Sequence, residues 1–436
     1  METVPYSKNI PVTESADVVV CGAGAAGWIA AVSAARRGCS VALIDRYGFP
    51  GGTAAADYVL PISGAYLKQK SVVSDLPMEF FRKLEARGGA IFEMPKGNIS
   101  FAPELYKVLA EDMLEEAGVK FLSNSYLSDI RAENGRITHV FLQNKNGTEA
   151  IAGKVFIDAT GDGDVFHLAG APMQPHNPER QPMSLCFVLA GVDVTSPLMT
   201  PYIHHDGMDG RSCCHKEIRA FLLEHSGLES FCGPWFNTTV SGSELAVNIT
   251  RIDCDATDNR AYAAAERKLR RDMYHLVGLL KNSFREFADC RIVSSGINVG
   301  IRETRRILGK YTFTGDDLRN APALPAPVAC CAHPIDIHKS HGPGQTLERL
   351  NRYAMIPYDA LVTDGIENLI AAGRCISLDP TAAASARVQA TCMTEGDAAG
   401  AAAAFALQTG FAANTLTSHG FRFADMERLR KEVENG

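Results

Sequence analysis

Three features are scarce or missing in this 436-residue chain, and each closes a route. There is no run of about 18 apolar residues. The longest small-apolar stretch, AAGAAAAFAL, is too short and too mild to cross a bilayer, so no membrane association is expected. Positive charge is short: 43 Lys and Arg stand against 50 Asp and Glu, a net charge of −7. That leaves no basic field for nucleic acid or an anionic membrane. The 12 cysteines never form C-x-x-C, which argues against a zinc ribbon, a cubane iron–sulfur cluster or a thioredoxin-type pair. The vicinal pairs Cys213–Cys214 and Cys330–Cys331 are expected to be plain thiols. The opening METVPYSKNIPVTESADVVV has no basic segment followed by an apolar one, so a secretory leader is not expected and a cytoplasmic location is. No internal repeat and no low-complexity linker occurs.

What is present is the balance of an ordinary globular protein, 46% hydrophobic and 21% charged, with chain enough for two to three domains. DVVVC (17–21) is a β-branched run suited to a buried parallel strand. GAGAAG follows, then the alanine-rich WIAAVSAARRG with a glycine stop at Gly38, then the strand SVALID. Strand, helix and strand in this span make a βαβ unit. APELYKVLAEDMLEEAG predicts a helix, and RITHVFLQNKNGTEAIAGKVFID predicts an antiparallel pair turning at NKNG. From Met173 the pattern changes: prolines cluster, SLCFVLAGVDV and LAVNITRIDC read as strands, and DNRAYAAAERKLRRDMYHLVGLLKNSF reads as a long helix. IENLIAAGRCIS then predicts a strand and QATCMTEGDAAGAAAAFAL a helix of small residues. The fold expected is α/β: a Rossmann-like dinucleotide domain, 14–172 and 345–436, interrupted by an α+β domain, 173–344.

Gly22-x-Gly24-x-x-Gly27 lies between strand and helix, as a pyrophosphate cradle requires. Gly22 allows the turn, Gly24 lets the backbone approach the phosphates, and Gly27 lets the helix pack on the strand. The helix N-terminus adds free N–H groups and partial positive charge. Asp45 ends the next strand, where a carboxylate accepts from ribose hydroxyls. A second glycine pair, Gly51–Gly52 in YGFPGGTAAA, is unusual for a nicotinamide enzyme. DATGDGD (158–164), taken alone, allows a metal cluster, a nucleophile turn or part of a cofactor cradle.

VVVCGAGAAGWIAAVSAARRGCSVALIDRYGFPGGTA, KVFIDATGDGDVFHLAGAP, GIRETRRILG, HPIDIH, IPYDALVTDGIENLIAAGRCIS and ARVQATCMTEGDAAGAAAA span nearly the whole chain. In that order they resemble the bacterial FAD-dependent oxidoreductases with a glutathione-reductase-like FAD domain. The resemblance implies FAD as cofactor. It implies that Gly22, Gly24, Ala25, Ala26, Gly27 and Asp45 hold the ADP half. Arg46, Gly51, Gly52 and Thr53 would line the ribose, pyrophosphate and flavin edge. Gly161, Asp162 and Gly163 would form a second clasp, with Asp164 capping the helix after it. Gly373, Arg374 and the helix near Thr394–Gly396 would meet the ribityl and pyrimidine end. No second GxGxxG points to a separate NAD(P)H domain, and no W-x-W-x-I-P points to a flavin halogenase.

Flavin chemistry needs a group to manage a proton and often a cation to hold the substrate. His338 is the candidate for the first role, with Asp336 on the same face of an extended segment. Arg387 and Arg302 are candidates for the second, since arginine suits carboxylates. Arg302 is expected near a strand end. Tyr358 is a weaker ligand candidate, and His204, His205 and His215 carry little weight. No metal site is expected. The expected reaction is hydride transfer between flavin N5 and a small organic substrate, as a dehydrogenase or reductase. An FAD monooxygenase or oxidase using O₂ and a non-catalytic flavin-binding protein are the alternatives. The partner is a small-molecule substrate, with a separate electron donor or acceptor left open.

Overall fold

A computed structural model of the chain describes residues 2–93, 98–200, 215–340 and 344–434. The apolar run at 17–21 becomes the end of the strand Val12–Cys21, with Val18 to Cys21 fully buried. Its neighbour Val41–Ile44 is buried along its whole length, as parallel strands covered on both faces must be. The strand order is Lys120–Leu122, Val41–Ile44, Val12–Cys21, Gly147–Asp158, Arg136–Asn144, Tyr126–Glu133. The last three form the antiparallel excursion turning at NKNG. Leu369–Ala371 returns much later in the chain to pair parallel with Gly147–Asp158.

The register matters for function. Cys21 pairs with Ile44 and with Asp158, and Asp158 pairs with Ala371. The turns that follow these strands therefore leave one edge of the sheet together. That edge is the carboxyl end of parallel strands, where open α/β sheets carry their ligands.

The helices Ala25–Arg36 and Gln389–Thr409 pack against each other with almost no gap. A Cβ on Gly396 would meet the Ala26 carbonyl oxygen at 2.1 Å, and one on Gly400 would meet that of Ala30 at 2.4 Å. The small residues of the second helix thus serve backbone-to-backbone packing inside the first core.

A four-stranded antiparallel sheet, in the order Trp235–Thr238, Glu244–Asn248, Phe187–Ala190, Arg291–Ser295, forms the second core with the long helix Asn259–Ser283. Asp258 caps that helix by accepting from Arg260 and Ala261 N–H. Ile307, Phe313, Leu318, Val328 and Ile335 do not join this core; they pack in the first. The strand end expected at Arg302 is absent, and residues 301–305 have no regular element.

The acids of DATGDGD divide their work differently from the sequence reading. Asp164 does not cap the following helix; it pairs with Arg305. Asp158, fully buried at the strand's end, reaches across and accepts from Val165 N–H (2.9 Å) and Phe166 N–H (3.1 Å). Its other oxygen accepts from the Thr160 N–H and hydroxyl. The reason is geometric: the turn folds the strand's last side chain under the helix start. Asp158→Ala leaves these donors buried without partners and is expected to cost about 2–3 kcal/mol, measured by denaturant unfolding.

Candidate active site

The shared edge opens into a cavity of about 920 Å³ lined by both cores. From the first core come Gly22, Gly24, Ala25, Ala26, Asp45, Arg46, Gly52, Thr53, Gly161, Asp162, Gly373 and Arg374. Gly27, Gly51, Gly163 and Gly396, also expected at the cofactor, line none of it and pack behind it. The reason is closeness of backbone: a Cβ on Gly27 would lie 1.7 Å from the Gly22 oxygen.

Gly22 has φ +97°, and its Cβ would fall 2.4 Å from the Ala159 oxygen. The turn itself demands glycine there. Gly24 is different. Its φ of −64° and ψ of −174° suit any residue, and a Cβ on it meets nothing within 4 Å. Nothing in the protein fills the space beside Gly24, so the backbone there is open to the cavity.

Asp45 accepts from Ala23 N–H (2.5 Å) and Tyr47 N–H (2.8 Å), which fixes the loop to the strand end. Each oxygen keeps capacity for a further donor. Burial pushes its carboxyl up. Asp162 receives Arg374 at 2.9 Å and the Thr304 hydroxyl. Against the pull of burial, Arg374 and Thr304 hold it below the ordinary carboxylate range. Its carboxylate is therefore engaged by an arginine of the protein. Gly373 N–H donates to buried Glu395 (2.8 Å), tying the Gly-Arg turn to the Gln389–Thr409 helix.

Two helices begin at the cavity without a side-chain cap: Ala25–Arg36 after Gly24, and Gln389–Thr409 after Val388. Their leading N–H groups are free for an anion or for electron-rich oxygens. The Gln389 side-chain oxygen is buried without a partner.

The remaining wall includes Ser184, Trp235, Asn248, Arg302, Asp336, His338 and Arg387. Here His338 Nε2 stands 3.1 Å from Asp336 Oδ2, and Arg251 Nη2 stands 2.9 Å from His338 Nδ1. A guanidinium only donates, so Nδ1 accepts and the ring proton lies on Nε2, toward Asp336. Asp336 sits well below the ordinary carboxylate range: burial works against that, and His338 and Arg387 outweigh it. Arg387 reaches the Asp336 carbonyl (3.2 Å) and Gln181 Oε1 (3.4 Å), while its Nε is buried without a partner. Burial pulls its guanidinium down to about 10, so it is charged at neutral pH. Arg302 donates to the Pro182 carbonyl (2.7 Å) and Ser184 Oγ (2.8 Å).

The three residues expected to carry chemistry, His338, Arg387 and Arg302, thus share one wall. Tyr358 does not reach it; its hydroxyl donates to the Ala413 carbonyl inside the core. His215 caps the helix Lys216–His225. His204, His205, Cys213 and Cys214 lie outside the described residues.

Asp57, which lines the cavity, escaped sequence reading, as did Gln181, Cys232 and Arg251 behind its wall. Asp57 lines the cavity with one buried, unpartnered oxygen, and burial pushes its carboxyl up to about 7. Its only sequence signal was an acid closing GGTAAAD. Among the described residues no group of three or more His, Cys, Asp or Glu stands ready for a metal ion, and no helix is long and apolar enough to cross a membrane.

A glycine turn, two uncapped helix starts and a strand-end acid at the carboxyl edge of a parallel sheet are the parts of a dinucleotide cradle. The chain belongs to the FAD dependent oxidoreductase family, whose sequence model matches residues 17–433. No curated protein matches it. Similar solved structures include a geranylgeranyl bacteriochlorophyll reductase-like protein from Thermoplasma acidophilum, 11% identical over 97% of this chain and 84% of that one, TM-score 0.46. A p-nitrophenol 4-monooxygenase from Pseudomonas putida is 11% identical over 94% and 84%, TM-score 0.47. CmlS, a flavin-dependent halogenase, is 12% identical over 91% and 60%, TM-score 0.48. At these scores the likenesses do not choose among reactions.

The cofactor is FAD, and the cavity suits it. Gly24 leaves room that the protein itself does not use, the two helix starts offer N–H groups, and Gln389 offers an unpaired oxygen.

Proposed function

We propose that this enzyme transfers a hydride between the N5 of FAD and a small organic substrate bearing a carboxylate or carbonyl group. One observation carries the reading: the glycine turns and the buried, charged Arg387, with its unpartnered Nε, line the same cavity. When bound, FAD supplies the hydride acceptor or donor. Arg387 holds the substrate's oxygen, because a buried guanidinium lacking one partner is completed by an acceptor. Arg302 adds positive charge beside it. Both ring nitrogens of His338 are engaged by the protein, so we assign it to orienting Asp336 and Arg251. Asp57 is the group that gains or releases a proton near neutral pH.

We also place the division between FAD and substrate domains near residue 302 instead of 344, since the two cores separate there. The narrower kinship, with bacterial enzymes carrying a glutathione-reductase-like FAD domain, rests on the RYGFPGG and GRCIS motifs. The ten described cysteines are all unpaired, which supports a reducing compartment such as the cytoplasm.

The test is anaerobic. Holoenzyme is mixed with small carboxylates, hydroxy acids, carbonyl compounds and NAD(P)H while flavin absorbance is followed. Stoichiometric bleaching or recovery by members of one class is expected, with product retained when oxygen is excluded. Reduced enzyme that instead consumes oxygen and yields a hydroxylated product would move the chain to the monooxygenases. A flavin that no small molecule reduces or reoxidises would sink the enzymatic reading.

A further inference from the structure

Charge is unevenly divided along the cavity. Five carboxylates line it: Asp45, Asp57, Asp162, Asp164 and Asp336. Four belong to the cofactor end. Asp45 holds the glycine-turn loop, Asp162 and Asp164 pair with Arg374 and Arg305, and Asp57 lies in the field of Arg46 and Arg374. Asp336 alone stands beyond those turns, and its oxygens are taken by His338 and Gln345. Against it, four cations line the same end: Lys68, Arg302, Arg349 and Arg387. The two histidines there do not offset them: the His338 ring is neutral, and burial pushes His333 down. Arg302 donates to a carbonyl and a hydroxyl, and Arg387 is the proposed substrate clamp. Arg349 and Lys68 remain. Both are exposed, so they sit where the cavity meets solvent, and neither has a carboxylate partner among the described residues. Lys68 has the Tyr353 ring, 6.0 Å from its ammonium.

Strand geometry aims Arg349 along the substrate wall. Ile335–His338 and Gln345–Glu348 pair antiparallel, with Asp336 opposite Leu347. Side chains alternate between faces. One face carries Asp336, His338, Gln345 and Leu347, all of which line the cavity. The other carries Ile335, packed in the first core, and Glu348, paired with Arg319. Arg349 lies two residues past Leu347 and continues the cavity face. Its backbone is thus a diagonal neighbour of Asp336, roughly 7–8 Å away. Arg387 reaches the Asp336 carbonyl, so Leu347, an exposed leucine, falls between the two guanidinium positions. Lys68 arrives on the tight turn joining Tyr66–Leu67 to Lys70–Ser71. Lys68 and Gln69 have φ +49° and +64°, where such turns favour asparagine and glycine. Tyr353 Oη donates to the Leu67 carbonyl (3.3 Å) and holds the turn. Backbone strain of this kind gathers at ligand contacts.

We propose that the substrate is a dianion. One carboxylate lies at Arg387, and a second anionic group, carboxylate or phosphate, lies at Arg349 and Lys68, with a short carbon chain along Leu347 between them. Arginine binds either anion through two parallel hydrogen bonds, and lysine adds a point charge. No bond is made or broken at the second anion; it supplies affinity and fixes which end of the substrate faces the flavin. The proposal deepens the hydride-transfer reading and rests on it for the word substrate.

Oxidised holoenzyme is titrated with linear dicarboxylates of about four to eight carbons, a range set by the diagonal spacing. Matching monocarboxylates and monocarboxylates phosphorylated at the far end are titrated beside them. Flavin absorbance and melting temperature read binding. The best dianion is expected to bind roughly 10-fold more tightly than its monocarboxylate at low salt. That advantage is expected to shrink as ionic strength rises, which needs no variant. Arg349→Gln and Lys68→Gln alter exposed side chains; each is expected to reduce the ratio of dianion to monoanion affinity, and the double variant to bring it near one. Whether carboxylate or phosphate gives the larger ratio identifies the second anion. A wild type that prefers no dianion, or a preference that survives in the double variant, overturns the proposal. Binding to oxidised enzyme needs no electron transfer, so the two readings fail separately. Dianions that bind through Arg349 yet exchange no hydride with the flavin would remove the hydride-transfer reading alone. Monocarboxylates that reduce the flavin as well as any dianion would remove this one alone.

Discussion

Gly24→Val is expected to give a folded, colourless protein. Position 24 has φ −64° and ψ −174°, which valine adopts freely, and the new Cβ meets no protein atom within 4 Å. Loss of a glycine at the N-cap of Ala25–Arg36 costs no more than about 1 kcal/mol. The side chain enters the space where the backbone must approach the FAD pyrophosphate. Overpacking there and loss of access to the helix N–H groups are expected to weaken FAD binding on the order of 100-fold. Flavin absorbance per protein, and the rise in melting temperature on adding FAD, read the result. Wild type gains stability with FAD and the variant does not. Gly27→Val is the contrast: its Cβ would start 1.7 Å from the Gly22 oxygen, so folding itself is expected to fail. A Gly24→Val protein that purifies yellow with wild-type affinity would remove the glycine turn from the cofactor site.

That contrast shows which parts of the site a sequence discloses. Gly22, Gly24, Gly27 and Asp45 were legible because a phosphate turn is a local demand, met within one βαβ unit. The spacing could not separate glycines required by a ligand from glycines required by neighbouring backbone. Gly396 looked like a cofactor residue, yet its constraint is the Ala26 carbonyl, some 370 positions earlier in the chain. Asp164 was expected to cap the helix, but Asp158 takes the donors at its start, because a side chain's reach depends on how the turn closes. Cys232 and Arg251 carried no signal at all. They meet through the Cys232 N–H on Ile249 and through His338, which arrives from a different strand. Ion networks of this kind are products of tertiary pairing and leave no period or motif to read. The boundary we propose near residue 302 has a similar origin: prolines and loose strands continue past that point, but the side chains of Ile307, Phe313 and Val328 pack in the first core.

Arg387→Met is expected to separate function from stability. Arg387 lies at the end of the helix Pro380–Ala386, largely inside the protein, with a carbonyl and an amide oxygen as close partners. Asp336 Oδ2 is 3.7 Å away but is held by His338 as well. Removing such a cation in favour of an apolar side chain of similar length relieves desolvation, and Asp336 keeps His338 and Gln345. Thermal stability is therefore expected to fall only modestly, because Asp336 loses one of the charges that hold it ionised but keeps two hydrogen bonds, and FAD to remain bound. Substrate-driven flavin reduction is expected to fall roughly 10²–10³-fold, the usual consequence of losing a buried charged contact to a reacting group. Anaerobic stopped-flow reduction across substrate concentrations divides that loss between binding and the chemical step. Arg387→Lys keeps the charge without the fork and should recover only part of the rate. A purely structural arginine would give a different pattern, with melting temperature falling steeply and the reduction rate of the surviving enzyme unchanged. That outcome would transfer the substrate-holding role to Arg302, the other cation on the same wall.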